Sequence, residues 1–578
     1  MMVASAVSSS NHLFLNAEKL HSLLATLRSS SLPTGIDETQ PRDARRQGGI
    51  FFTPAALVEF VSSIVINMSD RERPLWRDGW PRIRILDSSA GDGRFLAEVA
   101  SQLVSMGPSE LSREVRHSRA QSVCVAVERN PRLAEHIRVH LPDVQVVCAD
   151  ALIEVDDLIE LGRFNVIVGN PPYVRSVNLS KNDPDLHQSL RGRFSATSYG
   201  EWDLYTAFIE RTMDWLTDDG VAGLIVPSRW LTARSATTLR ANVVEQRALL
   251  AVVDFGAEQL FAQATTYSSV VFLGGKRRAG RNSSVEVARF RGGVLSVGEI
   301  DGGSLGSAPW RLAVGQVKKS VAAMRRGRCG PRMTLGELAR IAKGTGTNAD
   351  KVFVLSEQDP QIESARTRVC IRGRDVVAFG KPANPNRLLY PYCSDASNGS
   401  VVTLIEPATL RRESPLAYGY LEANRTVLEA RERGRFRGDR FYQYGRPQNL
   451  RLWDSDEPIL VVPDVASRSR AMRLAKHDVV LDSAYAIVPH QADLVDFLLA
   501  ILNSSIVTFW LRETGILLRG GYLRMKTAYL RELPIPDPDL ALSMKIAEAA
   551  KAVGCGAASS HELEQLVQSA YGVNLCGC

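Results

Sequence analysis

Short runs rich in β-branched residues recur between Gly48 and Val287: Ile83–Leu86, Val123–Val127, Val144–Val147, Val166–Val168, Gly223–Val226 and Val270–Leu273. Amphipathic stretches of helical length lie between several of them. Strands that alternate with helices predict a mostly parallel α/β sheet, with its chemistry at the carboxyl ends of the strands. The alternation fades past a Gly-rich basic stretch, Gly274 to Arg281, and a loose segment, Gly292 to Ser307. Beyond it, short strands (Pro458–Val462, Ala484–Val488) mix with helices such as Asp493–Arg512, which predicts a separate α+β domain. The expected organisation is a mobile arm over residues 1–45, a sheet domain over 46–300, the second domain over 301–540 and a helical tail over 541–578. The arm reads as a helix followed by a breaker-rich stretch, Ser29 to Arg46.

Composition narrows the class. The chain has 578 residues, 45% of them hydrophobic, so a packed core can form. A net charge of +7 favours a polyanionic partner only weakly, because an average says nothing about clustering. The 8 cysteines build no disulfide framework. Cys576 and Cys578 with distant Cys555 lack a fourth ligand at zinc spacing, so free thiols and no metal are expected. The most lipid-like run, Leu494 to Leu511, is interrupted by Asp496, Asn503, Ser504 and Ser505, and reads as a buried helix. No basic and apolar leader pattern opens the chain. A soluble, cytoplasmic protein without a membrane span is expected.

Three kinds of segment carry chemistry. Ile85-Leu86-Asp87 runs through Gly91-Asp92-Gly93 into a helix; glycines there let the backbone approach a nucleotide-like ligand. Leu96 stands where a dinucleotide fingerprint needs its third glycine, which disfavours nicotinamide binding. Glu128 and Asp150 each follow an apolar strand, where a carboxylate can accept from ribose hydroxyls or an adenine amino group, or simply cap a helix. Finally, the strand Phe164–Gly169 runs into Asn170-Pro171-Pro172-Tyr173. Two prolines extend the backbone, so the Asn170 side chain and the Pro171 carbonyl can point at one spot, with the Tyr173 ring beside them. Two acceptors and a flat face suit a planar nitrogen that carries two N–H groups.

Phe52-Thr53-Pro54, Asp87-x-x-x-Gly91-x-Gly93, Glu128, Asp150, Asn170-Pro-Pro-Tyr173, Asp203-Leu-Tyr-x-Ala-Phe208 and Leu260-Phe261 follow one another in a specific order. In that order the chain resembles adenine-N6 DNA methyltransferases of the TaqI type, from type II restriction-modification systems. Ala342-Lys-Gly344-Thr-Gly346, Tyr444-Gly-Arg-Pro-Gln448 and Leu533-Pro-Ile-Pro536 resemble that group's target-recognition domain. The resemblance implies a Rossmann-like methyltransferase sheet, an α+β DNA-recognition domain and S-adenosylmethionine as cofactor. Thr53 and the loop Asp87–Gly93 would hold the methionine part, Glu128 the ribose and Asp150 the adenine ring. Asn170, Pro171, Pro172 and Tyr173 would act on a flipped adenine, with Phe261 stacking on it. Ser88, Ser89, Ala90 and Asp92 depart from the family's usual glycine loop.

Arg431, Arg433, Arg435, Arg437, Arg440, Arg446 and Arg451 are interleaved with Phe436, Phe441, Tyr442 and Tyr444. Arginine serves phosphates and guanine edges, so this stretch is expected to face double-stranded DNA. Competing readings are an N4-cytosine, RNA-base or protein-glutamine methyltransferase, since their acceptor nitrogens share the planarity, and a non-catalytic DNA-recognition subunit. A nuclease cluster is not evident, so a monomeric modification enzyme beside a separately encoded restriction endonuclease is expected.

Overall fold

The computed structural model describes residues 14–29, 53–71, 74–154, 162–258, 260–261, 267–281, 284–291, 293–326, 333–356, 361–395, 401–537 and 541–575. Phe52, Cys576, Cys578, the start of the chain to Asn11 and the stretch after Ser29 to Arg46 lie outside them. Two compact units divide at Lys318.

The first unit is built on nine strands: β1 Ile85–Asp87, β2 Cys124–Val127, β3 Gln145–Val147, β4 Phe164–Gly169, β5 Leu216–Pro227, β6 Leu249–Asp254, β7 Ser268–Gly274, β8 Ser284–Arg291 and β9 Val294–Asp301. They hydrogen-bond in the order β9-β8-β6-β7-β5-β4-β1-β2-β3. All pairs are parallel except β7 with both its neighbours and the β8–β9 hairpin. The chain order reverses between β1 and β4, the point at which open α/β sheets leave a crevice for ligands.

Helices cover both faces because the central strands are apolar on both sides. On one face lie α1 Ala17–Ser29, α2 Ala55–Asp70 and α3 Arg94–Met106. α4 Pro131–His140 follows β2. Helices α5 Ser176–Asn182 and α6 Pro184–Arg193 follow β4, and α7 Tyr205–Trp215 lies on the other face. Gly223 on β5 brings α2 close, since a Cβ there would meet Val61 and Val65 at 2.8 and 2.9 Å.

Two expectations about boundaries change. Leu20, Leu23 and Leu24 of α1 are buried in the sheet unit's core. The Phe14 and Leu15 N–H groups donate to the Glu286 carboxylate on β8 at 3.0 and 2.9 Å. Residues 14–29 are therefore part of the unit and not a mobile arm. Likewise Trp310, Leu312 and Val314 are buried in its second core, which carries the unit to Lys318 instead of ending near 300.

The second unit is α+β. A four-stranded sheet contains β10 Ala339–Lys343, β11 Leu460–Pro463, β12 Met472–Arg473 and β13 Ala484–Pro489 in the order β10-β13-β11-β12. The expected helix over Asp493–Arg512 is two helices, α8 Val495–Leu502 and α9 Ser505–Thr514, bent by 72°. The break falls at Asn503, whose side chain bonds both the N–H and the carbonyl of Ala471. Both helices are largely buried, and no single described helix is long and apolar enough to cross a membrane. α10 Ala541–Gly554 and α11 Ser560–Tyr571 are packed on this unit through Ile546, Val567 and Tyr571. The Tyr571 hydroxyl donates to the Pro534 carbonyl at 2.7 Å, so these helices belong to the unit's core and are no separate tail.

Candidate active site

The carboxyl ends of β1 to β4 open on one cavity of about 730 Å³, within the range of small-molecule sites. Thr53, Asp87, Gly91, Glu128, Asp150, Asn170 and Pro172 all line it.

Asp87 ends β1 and is buried. Its Oδ1 accepts from the Ser89 N–H at 3.0 Å, while Oδ2 accepts from no described residue. Burial pushes its carboxyl up to about 8, with the negative charges of Glu128 and Asp92 adding to the rise. Glu128 accepts from the Gly91 N–H with one oxygen and from the Asn130 N–H with the other, both at 2.8 Å. It thereby fastens the glycine loop, and burial again raises its pKa. Asp150 Oδ1 accepts from the Leu152 N–H at 2.9 Å, and its Oδ2 lies 3.5 Å from Arg129.

The two glycines differ in use. Gly91 has φ +59° with open space where a Cβ would be, so it leaves room toward the cavity. Gly93, at φ +83°, does not line the cavity; a Cβ there would meet Leu141 and Ile137 at 3.1 and 3.2 Å. It lets the turn enter α3 close against α4.

At the end of β4, Gly169 has no side chain where a Cβ would sit 2.9 Å from Asp87 Oδ1. The Asn170 amide is held at both ends. Its Nδ2 donates to Thr53 Oγ1 at 3.0 Å, and its Oδ1 accepts from the Tyr173 hydroxyl at 2.7 Å. Pro171 is buried. The Tyr173 ring meets Tyr205 and Phe261 edge-on, each at 6.3 Å between centroids. Phe261 is only 4% exposed and belongs to the core around α2, so in this conformation it presents no open face for stacking.

Sequence reasoning missed two further elements. Arg94 pairs with Asp92 and donates to the Thr53 carbonyl, tying the glycine loop to the residue ahead of α2. Arg129 reaches both Asp150 and Asp183, at 3.5 and 3.3 Å, and so joins the end of β3 to the start of α6. Their places directly after Gly93 and Glu128 were the available signal.

A family model for the Eco57I restriction-modification methylase matches residues 128–261, and one for the TaqI-like C-terminal specificity domain matches residues 424–535. The chain thus carries a segment of the Eco57I methylase type and a TaqI-like specificity segment. It is similar to the type II methyltransferase M.PaeR7I of Pseudomonas aeruginosa, at 25% identity over 87% of this chain and 88% of the relative. Similarity to the type II methyltransferase M.XhoI of Xanthomonas vasicola is also 25%, over 84% and 91%. The DNA complex of the type IIL restriction-modification enzyme MmeI shares the fold, with a TM-score of 0.56 at 12% identity over 97% of this chain and 76% of that one.

S-adenosylmethionine is the cofactor of this methylase class, and the cavity suits it. A buried carboxylate oxygen without a partner matches an ammonium group, and the strand-end acids match ribose and adenine donors.

The arginine-rich stretch of the specificity domain is only partly what its composition suggests. Arg431 is 8% exposed and donates to the carbonyls of Leu428, Thr347, Phe441 and Gln443. It clamps the fold, with four of its five guanidinium N–H groups spent on these carbonyls. Phe436, Phe441, Tyr442 and Tyr444 are buried as well, so they fill the core and cannot stack on bases. Arg433, Arg435, Arg437, Arg440 and Arg446 are exposed.

Proposed function

We propose that this type II DNA methyltransferase moves the methyl group of S-adenosylmethionine to the N6 amino group of an adenine flipped out of duplex DNA. The observation that carries the reading is the Asn170 amide, oriented by Thr53 and Tyr173 in the wall of a cofactor-sized cavity. A carbonyl oxygen has two lone pairs, so Asn170 Oδ1 can accept an amino N–H while it keeps the Tyr173 bond. The Pro171 carbonyl is the second acceptor. Two fixed acceptors draw both N–H groups to one side and turn the nitrogen lone pair away from the ring plane. This is positioning and electrostatic preorganisation by neutral groups. The Tyr173 ring would lie against the extruded base, offsetting part of an unstacking cost of a few kcal/mol.

Thr53, Asp87 and the glycine loop would hold the methionine end of the cofactor, Glu128 its ribose and Asp150 its adenine. When bound, it supplies a sulfonium methyl group open to in-line displacement. The relatives' names as type II methyltransferases support a modification role. A monomer acting beside a separately encoded endonuclease is the remaining part of the proposal. Incubation with S-adenosylmethionine and duplex DNA, followed by digestion to nucleosides and mass spectrometry, is expected to yield N6-methyladenine. N4-methylcytosine would keep the geometry and change the base; no methylated nucleoside would sink the reading.

A further inference from the structure

Three backbone segments of the specificity domain cross at Gly346. The Gly346 N–H donates to the Arg446 carbonyl at 3.0 Å, and the Arg446 N–H donates back at 2.8 Å. The Gly445 N–H bonds the Thr347 carbonyl at 3.0 Å, and the Asp482 N–H bonds that of Thr345 at 2.9 Å. Side chains lock the crossing: Gln448 Nε2 donates to the Gly344 carbonyl at 2.6 Å and Trp453 Nε1 to Thr345 Oγ1 at 2.9 Å. A main chain held at so many points cannot shift far when something binds.

Gly346 does not have a positive φ, so conformation does not call for glycine there. Crowding does. A Cβ would lie 3.1 Å from Asp482 Oδ2, 3.3 Å from Arg446 Cβ and 3.6 Å from Asn348 Oδ1. Asn348 is held by its Nδ2, which donates to Glu432 at 2.6 Å. Arg446 is exposed and Asp482 half-buried. Among the described residues no hydrogen bond or ion pair engages the Arg446 guanidinium or the Asp482 carboxylate. The Arg446 Cβ and the Asp482 carboxylate thus flank one glycine, and the two side chains do not pair.

We infer that Arg446 and Asp482, with Asn348 beside them, read the edge of a G·C pair in the major groove. This inference rests on duplex DNA being the substrate. Arginine forks onto guanine O6 and N7, and a carboxylate accepts from the cytosine amino group, so one base pair presents both partners. A phosphate is a poor alternative, because Asp482 would repel it. Among the described residues no ion pair ties Arg433, Arg437 or Arg440 to an acid, and these three are suited to the phosphate backbone.

The test begins with sequencing the sites that the wild-type protein methylates, then repeats it with Arg446→Ala and Asp482→Ala. Preference for G·C at one position of the site should fall roughly 10- to 100-fold. Melting temperature and cofactor affinity should stay at wild-type values. Arg433→Ala is the contrast, expected to weaken all duplexes alike and to reduce the salt dependence of binding. Should a variant lose turnover, competition binding between the cognate duplex and one substituted at that position reads the same ratio. A wild-type ratio at every position in both variants overturns the inference and leaves the methyltransferase reading standing. A wild-type protein that methylates no duplex base overturns both.

Discussion

Asn170 bonds at both ends of its amide, so its acceptor oxygen has one orientation before any substrate arrives. Asn170→Ala should bind S-adenosylmethionine within a few-fold of wild type and lose transfer by about 100-fold or more, as for removal of one preorganised polar group. Calorimetry and single-turnover rates separate the two. Tyr173→Phe keeps the ring and removes the hydroxyl that orients Asn170. A rise of about 1 kcal/mol in the transfer barrier is expected, with 2-aminopurine fluorescence at the target position unchanged. A dimmer flipped base in that variant would mean that the hydroxyl, too, serves flipping. Asp87 ties the site to pH. Its folded-state pKa of about 8 lies above the ordinary 3.8, so its contribution to stability is complete below pH 3.8 and is lost as pH rises through 8. Asp87→Asn should therefore raise the melting temperature of the cofactor-free protein at pH 8.5 and not at pH 4. Pairing with the cofactor's ammonium needs the carboxylate, so wild-type affinity should weaken from pH 7.5 to pH 6 and the variant's should not. A parallel pH profile in both proteins would remove Asp87 from the ammonium role.

Elements show where composition misleads. A run of arginines between aromatic residues looks the same whether it faces solvent or core. Glu432 and Arg433 take φ values of +46° and +62°, a tight reversal that turns Arg431 inward and Arg433 outward. Nothing in residue spacing announces that reversal. Arg431→Ala would strip a donor from four carbonyls and leave a hole among buried rings, at a cost of about 3 kcal/mol or more. Thermal melting of the full chain checks it, with Arg433→Ala expected within about 0.5 kcal/mol of wild type. The bend after Leu502 is a similar case. Its apolar run reads as one helix, and the break comes from Asn503 meeting the backbone at Ala471, a partner distant in the chain. The strand-end motifs were legible for the opposite reason: each sits directly after the strand that positions it.

For the whole molecule, the N-terminal helix shows how a buried charge binds a remote segment. Glu286 accepts two backbone N–H groups from residues 14 and 15. Glu286→Ala should lower stability by about 1–3 kcal/mol and open α1 to trypsin at Lys19. Resistance of α1 in that variant would show that apolar packing by Leu20, Leu23 and Leu24 suffices.

Local order in the chain determined the strands, the glycine loop, the strand-end acids and the Asn-Pro-Pro-Tyr turn, because strand and motif are neighbours and periodicity reports burial directly. Tertiary structure decided what depends on remote partners. It turned Arg431 and the aromatic residues inward and drew α1, α10 and α11 into the two cores. It also packed Phe261 behind Tyr173 and gathered Asn348, Arg446 and Asp482 around Gly346. Contacts between residues so far apart in sequence follow from how the cores close, which no local pattern encodes.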